Sequence, residues 1–176
     1  MTALPPTPLH LEVHGARGST AVSGKSFVRH GGNTTCYSVD LPDGHYLFID
    51  GGTGLGRFQR LREAAEGGGP IEATILLTHF HWDHIQGLPT FSPLYDPHSR
   101  IHIVAAPPDG RSIEDALDAV LGPPWFPVRL RDAAAKLTFV PLTGEPLHVG
   151  PLTTGLLNDD PPPHLRGAWP LMAGPS

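Results

Sequence analysis

The sequence is poor in cysteine, with Cys36 the single one among 176 residues. That excludes an intrachain disulfide and any zinc site built from several thiolates. Cys36 itself reads as a small, half-buried strand residue rather than a nucleophile. Excess positive charge is missing too. Twelve Lys and Arg against 17 Asp and Glu leave a net charge of −5, so nothing draws the chain to phosphate backbones in general, and a nucleic-acid partner has no electrostatic support. No apolar run is long enough to span a bilayer, and Met1-Thr2-Ala3-Leu4-Pro5-Pro6 has neither the basic start nor the apolar core of a signal peptide. No membrane partner is expected, and the reading is a cytoplasmic protein. Nor is there an internal repeat of roughly 20–50 residues, which removes the solenoid architectures.

Glycine and proline are abundant instead, 21 of each, but they punctuate apolar segments rather than forming one low-complexity block. A single loop-rich domain follows. Leu9, Leu11 and Val13 alternate with more polar neighbours, the period of a strand. Thr34 to Leu41 and Tyr46 to Ile49 read as a hairpin about Pro42-Asp43-Gly44. After Gly51-Gly52-Thr53-Gly54, the residues Leu55, Phe58, Leu61 and Ala65 recur at helical spacing until Gly67-Gly68-Gly69-Pro70. Ile71 to Thr78 has the continuous apolar character of a strand buried on both faces. Ile101 to Ala105 predicts a further strand. Ser112 caps a helix with Ile113, Ala116, Leu117, Val120 and Leu121 on one face, the first four of them expected against the sheet and Glu114 and Asp118 toward solvent. Pro123-Pro124-Trp125-Phe126-Pro127 ends it, with the two aromatics read as core. Leu137 to Leu142 and Leu147 to Leu152 predict two more strands, and alternating strands and helices indicate an α/β architecture. From Asn158 onward the chain reads as an irregular, Pro-rich tail.

The chemistry is concentrated in His79-Phe80-His81-Trp82-Asp83-His84. Four metal-ligand side chains lie within six residues, directly after a buried strand. On an extended or turning backbone His79 and His81 are two apart and can point to one side, so two imidazoles can meet one cation. Asp83 and His84 follow at the bend into a helix, where they can face a second. Imidazole and carboxylate together suit zinc, while manganese and iron accept the same donors. His10, His14, His30, His45, His98, His102 and His148 are scattered and read as surface or partial-core residues, with His30 the one to watch. Arg17 and Arg29 are either exposed, structurally paired or within reach of a substrate phosphate. For Asn33 and its neighbouring glycines, tight-turn geometry is favoured over substrate contact.

The run from Thr78 to Gly87 resembles the His-x-His-x-Asp-His signature of the metallo-β-lactamase superfamily. Gly15-Ala16-Arg17-Gly18-Ser19, Gly31-Gly32-Asn33-Thr34-Thr35-Cys36 and Ile49-Asp50-Gly51-Gly52-Thr53-Gly54 are similar to the N-terminal pattern of its phosphodiesterase-like branch. The resemblance implies a domain over residues 1–157, built as part of an αββα sandwich, mainly its N-terminal half. It also implies two divalent metal ions, zinc foremost. His79 and His81 would bind metal one, Asp83 and His84 would bind metal two and act as the catalytic pair, and Asp50 would support the metal loop from behind. The implied activity is hydrolysis of a small phosphodiester or cyclic phosphate by a metal-bridging hydroxide. A thioester or lactam hydrolase and a non-catalytic metal-binding remnant are the alternatives.

The family completes its site with a third histidine on metal one, a bridging aspartate and a last histidine on metal two, all expected after Leu157. Here Asn158 is followed by Asp159 and Asp160, and His164 is the only later histidine. The expectation is therefore a chain truncated or frame-shifted in its second half and weakly active. The lost layers would leave Ile75 to Leu77 and Phe139 to Leu142 less well covered, and a homodimer would compensate.

Overall fold

The computed structural model describes residues 9–108, 110–142, 147–149, 152–154 and 171–173. A six-stranded sheet forms the centre in the order β1 (His10–Gly15), β2 (Cys36–Asp40), β3 (Tyr46–Ile49), β4 (Glu72–Leu76), β5 (Arg100–Ala105) and β6 (Lys136–Pro141). The first three strands are antiparallel neighbours, and β3 to β6 run parallel. Parallel neighbours need crossovers. The first is supplied by α1 (Gly54–Glu66) and a later one by α3 (Ile113–Leu121), while α2 (Trp82–Ile85) is a single turn after β4. A smaller antiparallel sheet comprises β7 (Leu147–Val149), β8 (Leu152–Thr154) and β9 (Leu171–Ala173). The architecture is α/β, as the alternation of strands and helices predicts.

Strands β4 and β5 are mostly apolar beyond their exposed first residues, Glu72 and Arg100, because both faces are covered. Ala73, Ile75, Ile101 and Ile103 pack with Phe48, Leu55, Phe58, Ile113, Leu117 and Leu121 on the helical side. Leu47, Leu76 and Val104 pack with Val39, Leu142 and Val149 on the other. Edge-to-face contacts of Phe58 with Phe48 and Tyr46, ring centroids 4.7 and 5.1 Å apart, anchor α1 to the sheet.

Several sequence expectations are corrected. Ile75 to Leu77 is wholly buried rather than uncovered, whereas in Phe139 to Leu142 only Leu142 is buried, Phe139 and Val140 being part-buried and Pro141 exposed. Exposed large apolar side chains mark the β1 edge: Leu9 just before the strand and Leu11 and Val13 within it, 42–51% accessible. Their alternation does mark a strand, but α1 packs on the opposite side of β1, where His14 is buried. On α3, Ser112 caps as expected, its Oγ accepting from the Asp115 amide. Of that apolar face Val120 is exposed, however, while Leu121 is buried. Asp118 does not face solvent freely; it accepts from Arg131 Nε at 2.6 Å and from the Leu130 amide. Trp125 is 75% exposed rather than core, and Cys36 is fully rather than half buried, which pushes its thiol pKa up. Leu147 to Leu152 forms two strands, β7 and β8, rather than one. Leu171–Ala173, within the stretch read as an irregular tail, is a strand. Among the described residues no helix is long and apolar enough to cross a membrane.

Candidate metal centre

Parallel pairing of β3 with β4 sets Ile49 opposite Leu76 and brings the carboxyl ends of both strands to one edge. Asp50 leaves the first strand there and Thr78-His79 the second. The Asp50 amide still bonds the Leu76 carbonyl at 2.9 Å, and its backbone then turns into the left-handed region with φ 63°. A carboxylate buried to 2% exposure must be paired. Asp50 accepts from the Thr78 amide at 2.9 Å, from the Thr78 hydroxyl at 2.8 Å and from His84 Nδ1 at 2.7 Å. Thr78 Oγ1 also lies 3.0 Å from His79 Nδ1. One buried carboxylate thus organises both ends of the histidine motif.

The glycine loop after Asp50 interlocks with the motif. Gly51 N donates to the His84 carbonyl at 2.7 Å, and Gly87 N donates to the Gly51 carbonyl at 2.9 Å. A Cβ on Gly52 would run into the Asp83 carbonyl oxygen and crowd Thr34 Oγ1 and the Thr35 carbonyl. Only glycine fits this approach.

The four predicted ligands come together. The rings of His79 and His81 are 4.4 Å apart between centroids, those of His79 and His84 4.0 Å apart, and His84 Nε2 is 3.5 Å from Asp83 Oδ2. Because Asp50 engages Nδ1 of His84, the Nε2 of that ring is the nitrogen left facing Asp83. His79 and His84 are half-buried, His81 is exposed, and Asp83 is buried. Burial disfavours the charge on His84. The hydrogen bond to Asp50 and the fields of Asp50 and Asp83 outweigh it, so its pKa is raised. For His79, burial and then the neighbouring His84 and His81 lower the pKa. Asp83 is likewise opposed by burial, yet the amide of Ser19, 2.7 Å from Oδ2, helps to hold its pKa below the ordinary value.

The donor set, three imidazoles of which the Asp50-bonded His84 is buttressed, together with the Asp83 carboxylate, fits the chemistry of a divalent cation. Among the described residues, however, no three His, Cys, Asp or Glu side chains converge closely enough to enclose one. Asp159, Asp160 and His164 lie outside the described residues. Arg17 and His30 line a cleft together with Ala16, Ser26, Phe27 and Gly31. Asn33 serves the backbone, its Nδ2 donating to the His14 carbonyl and its Oδ1 accepting from Thr53. Arg29 is exposed, as are Trp125 and its neighbouring prolines. Sequence reasoning missed the Ser19 contact. Gly18-Ser19 signals a turn, but no local pattern reveals that its amide meets a carboxylate 64 residues later.

Solved structures share this architecture. A diphosphatase of the PhnP family superposes with a TM-score of 0.55 at 22% identity, over 84% of this chain and 56% of that one. Zinc-bound PqqB from Methylobacterium extorquens gives 0.53 at 18%, over 84% and 55%. A mutant metallo-β-lactamase from Cronobacter sakazakii gives 0.51 at 18%, over 80% and 52%. The chain thus spans little more than half the length of these relatives. None of the curated proteins matches it. The family description that matches, over residues 29–164, is that of the metallo-β-lactamase superfamily. With more than half of the sequence inside that match, and the strand-end histidine motif it carries, the chain belongs to the metallo-β-lactamase superfamily.

Proposed function

We propose that this chain is the metal-binding part of a hydrolase acting on a phosphodiester bond in a small substrate, a cyclic phosphate included. The observation that carries the proposal is the buried Asp50 carboxylate, bonded at once to Thr78 and His84 and so fixing the motif on the strand ends. Rigid strand ends with a carboxylate behind a histidine are how ligands are oriented for a metal. His79 and His81 would hold one ion, and Asp83 and His84 a second. Bound there, divalent ions would supply Lewis acidity and activate water as the nucleophile. The chain's own contribution is positional. Asp50 fixes the ring plane of His84, the Ser19 amide keeps Asp83 ionised and aimed, and Thr78 steadies His79. Each metal then has at most two of these ligands, and a catalytic zinc ordinarily takes three from protein, so the remainder must come from elsewhere.

The likeness to a diphosphatase of the PhnP family supports a phosphoryl substrate, while the β-lactamase neighbour keeps lactam or thioester hydrolysis as the second reading. The test is elemental analysis of the purified chain followed by turnover of bis-nitrophenyl phosphate, a chromogenic cephalosporin and a thioester, with zinc or manganese supplied. Selective turnover of the phosphodiester supports the proposal. Selective lactam or thioester turnover replaces it with the second reading, and bound metal without turnover leaves a non-catalytic metal-binding protein.

A further inference from the structure

Beside the metal motif the charge of the chain reverses. Residues 13–39 hold three of the twelve Lys and Arg, namely Arg17, Lys25 and Arg29, and none of the 17 Asp and Glu. This happens in a protein of net charge −5. Among the described residues none of the three bases pairs with a carboxylate. The segment is firmly placed. Arg17 N bonds the Asn33 carbonyl at 3.0 Å, Val22 N bonds the Gly32 carbonyl at 2.9 Å, and a Cβ on Gly32 would collide with the Val22 carbonyl oxygen. Two residues beyond Arg17, the Ser19 amide holds Asp83. The loop is therefore tied directly to a candidate metal ligand.

Within it lies a cleft of about 370 Å³ lined by Ala16, Arg17, Ser26, Phe27, His30 and Gly31. The Arg17 guanidinium sits 5.1 Å from the centroid of the Phe27 ring, a stack that steadies the flat fork without using its N–H edge. Ser26 and His30 each bring one further hydrogen-bond donor. Donors from three residues around one space suit a tetrahedral oxyanion better than a planar carboxylate, which a single Arg fork satisfies.

We propose that this cleft is an anion subsite, binding a phosphate group of the substrate other than the one attacked at the metal motif. Its place in catalysis rests on the hydrolase reading above. Its ability to bind phosphate does not. Such a subsite would select substrates with a second charged group and draw them to the three unpaired bases of this segment in an otherwise acidic protein.

The test is titration of the ¹⁵N-labelled full chain with inorganic phosphate, following the Arg17 Nε–H and the amides of residues 26–31 by NMR. Wild type and His81→Ala are run in parallel, so that a failed metal site and a failed anion site give different results. The expected outcome is saturable shifts in both chains, affinity lowered roughly tenfold or more by Arg17→Gln, and an intermediate value for Arg17→Lys. His30→Gln, which leaves the Arg17 stack in place, should weaken binding several-fold. Shifts that do not saturate, that are unchanged by Arg17→Gln and His30→Gln, or that acetate produces equally well would overturn the proposal. Phosphate binding by His81→Ala alongside absent turnover in the wild type would leave the subsite standing and remove only its catalytic role.

Discussion

The carboxylate of Asp50 and Nδ1 of His84 lie 2.7 Å apart although 34 residues separate them in sequence. Asp50→Asn keeps the shape and tolerates the left-handed backbone, so it isolates the charge. Metal affinity should fall roughly 10–100-fold in a competition titration against a chelator. The metal-free variant should also show the His84 pKa moving down, since the hydrogen bond that raises it is weakened. An unchanged affinity would make Asp50 a purely structural strand-end residue.

His81→Ala removes an exposed imidazole whose ring stands 4.4 Å from that of His79. Most of the bound metal should be lost on elemental analysis, with little change in the thermal unfolding of the metal-free protein, because His81 fills no core space. Full retention of metal would take His81 out of the site.

Gly52→Ala forces a methyl group against the Asp83 carbonyl oxygen. Overpacking against backbone should cost about 1–3 kcal/mol or more in urea unfolding. Metal binding should weaken in parallel, since the obstructed residue is a predicted ligand. A neutral Gly52→Ala would mean that the two loops can separate without penalty.

On α3 the neighbours Val120 and Leu121 should respond differently. Leu121 is 2% exposed and its truncation to Ala should cost about 2–5 kcal/mol. Val120→Ala, at a 41% exposed site, should stay within about 0.5 kcal/mol. Equal effects in denaturant titrations would contradict the observed rotation of the helix.

His14 is buried beneath α1, its Nε2 2.8 Å from Ser38 Oγ and its ring edge-on to Phe58. Burial lowers its pKa from 6.5, so the unfolded chain takes up a proton before the folded one does. Its contribution to stability is complete above 6.5 and drains away as pH falls through the lower folded-state value. As the pH falls below 6.5 the unfolding midpoint of the wild type should drop more steeply than that of His14→Gln. Parallel profiles would assign the acid sensitivity to other groups.

What could be read ahead of the structure divides by the range of the interaction. Periodicity located α1 and the strand before His79, since a strand buried on both faces needs an unbroken apolar run. The candidate ligand cluster was legible because all four side chains lie within one strand end and one helical turn. Leu9, Leu11 and Val13 show the limit. Alternation marks a strand but does not say which side the next layer covers, and here α1 takes the side of His14. Val120 and Leu121 both border the apolar stripe that includes Leu117, so a nine-residue helix leaves the choice between them to packing. The prolines around Trp125 end the helix as read, but its indole stays in water because the turn leads it away from the core. Ser19 meeting Asp83 is a tertiary contact with no local trace.

The pairing of Ile49 with Leu76 also gives the site a proofreading property. Side chains alternate faces along a strand, so a slip of one residue between β3 and β4 would invert one strand against the other and draw Asp50 away from Thr78. His84 would then lose its partner and the motif its anchor. A metal ion held by this motif would in that case select the correctly registered chain from its mispaired alternatives, making ligand loading a checkpoint on assembly of the sheet as well as on chemistry.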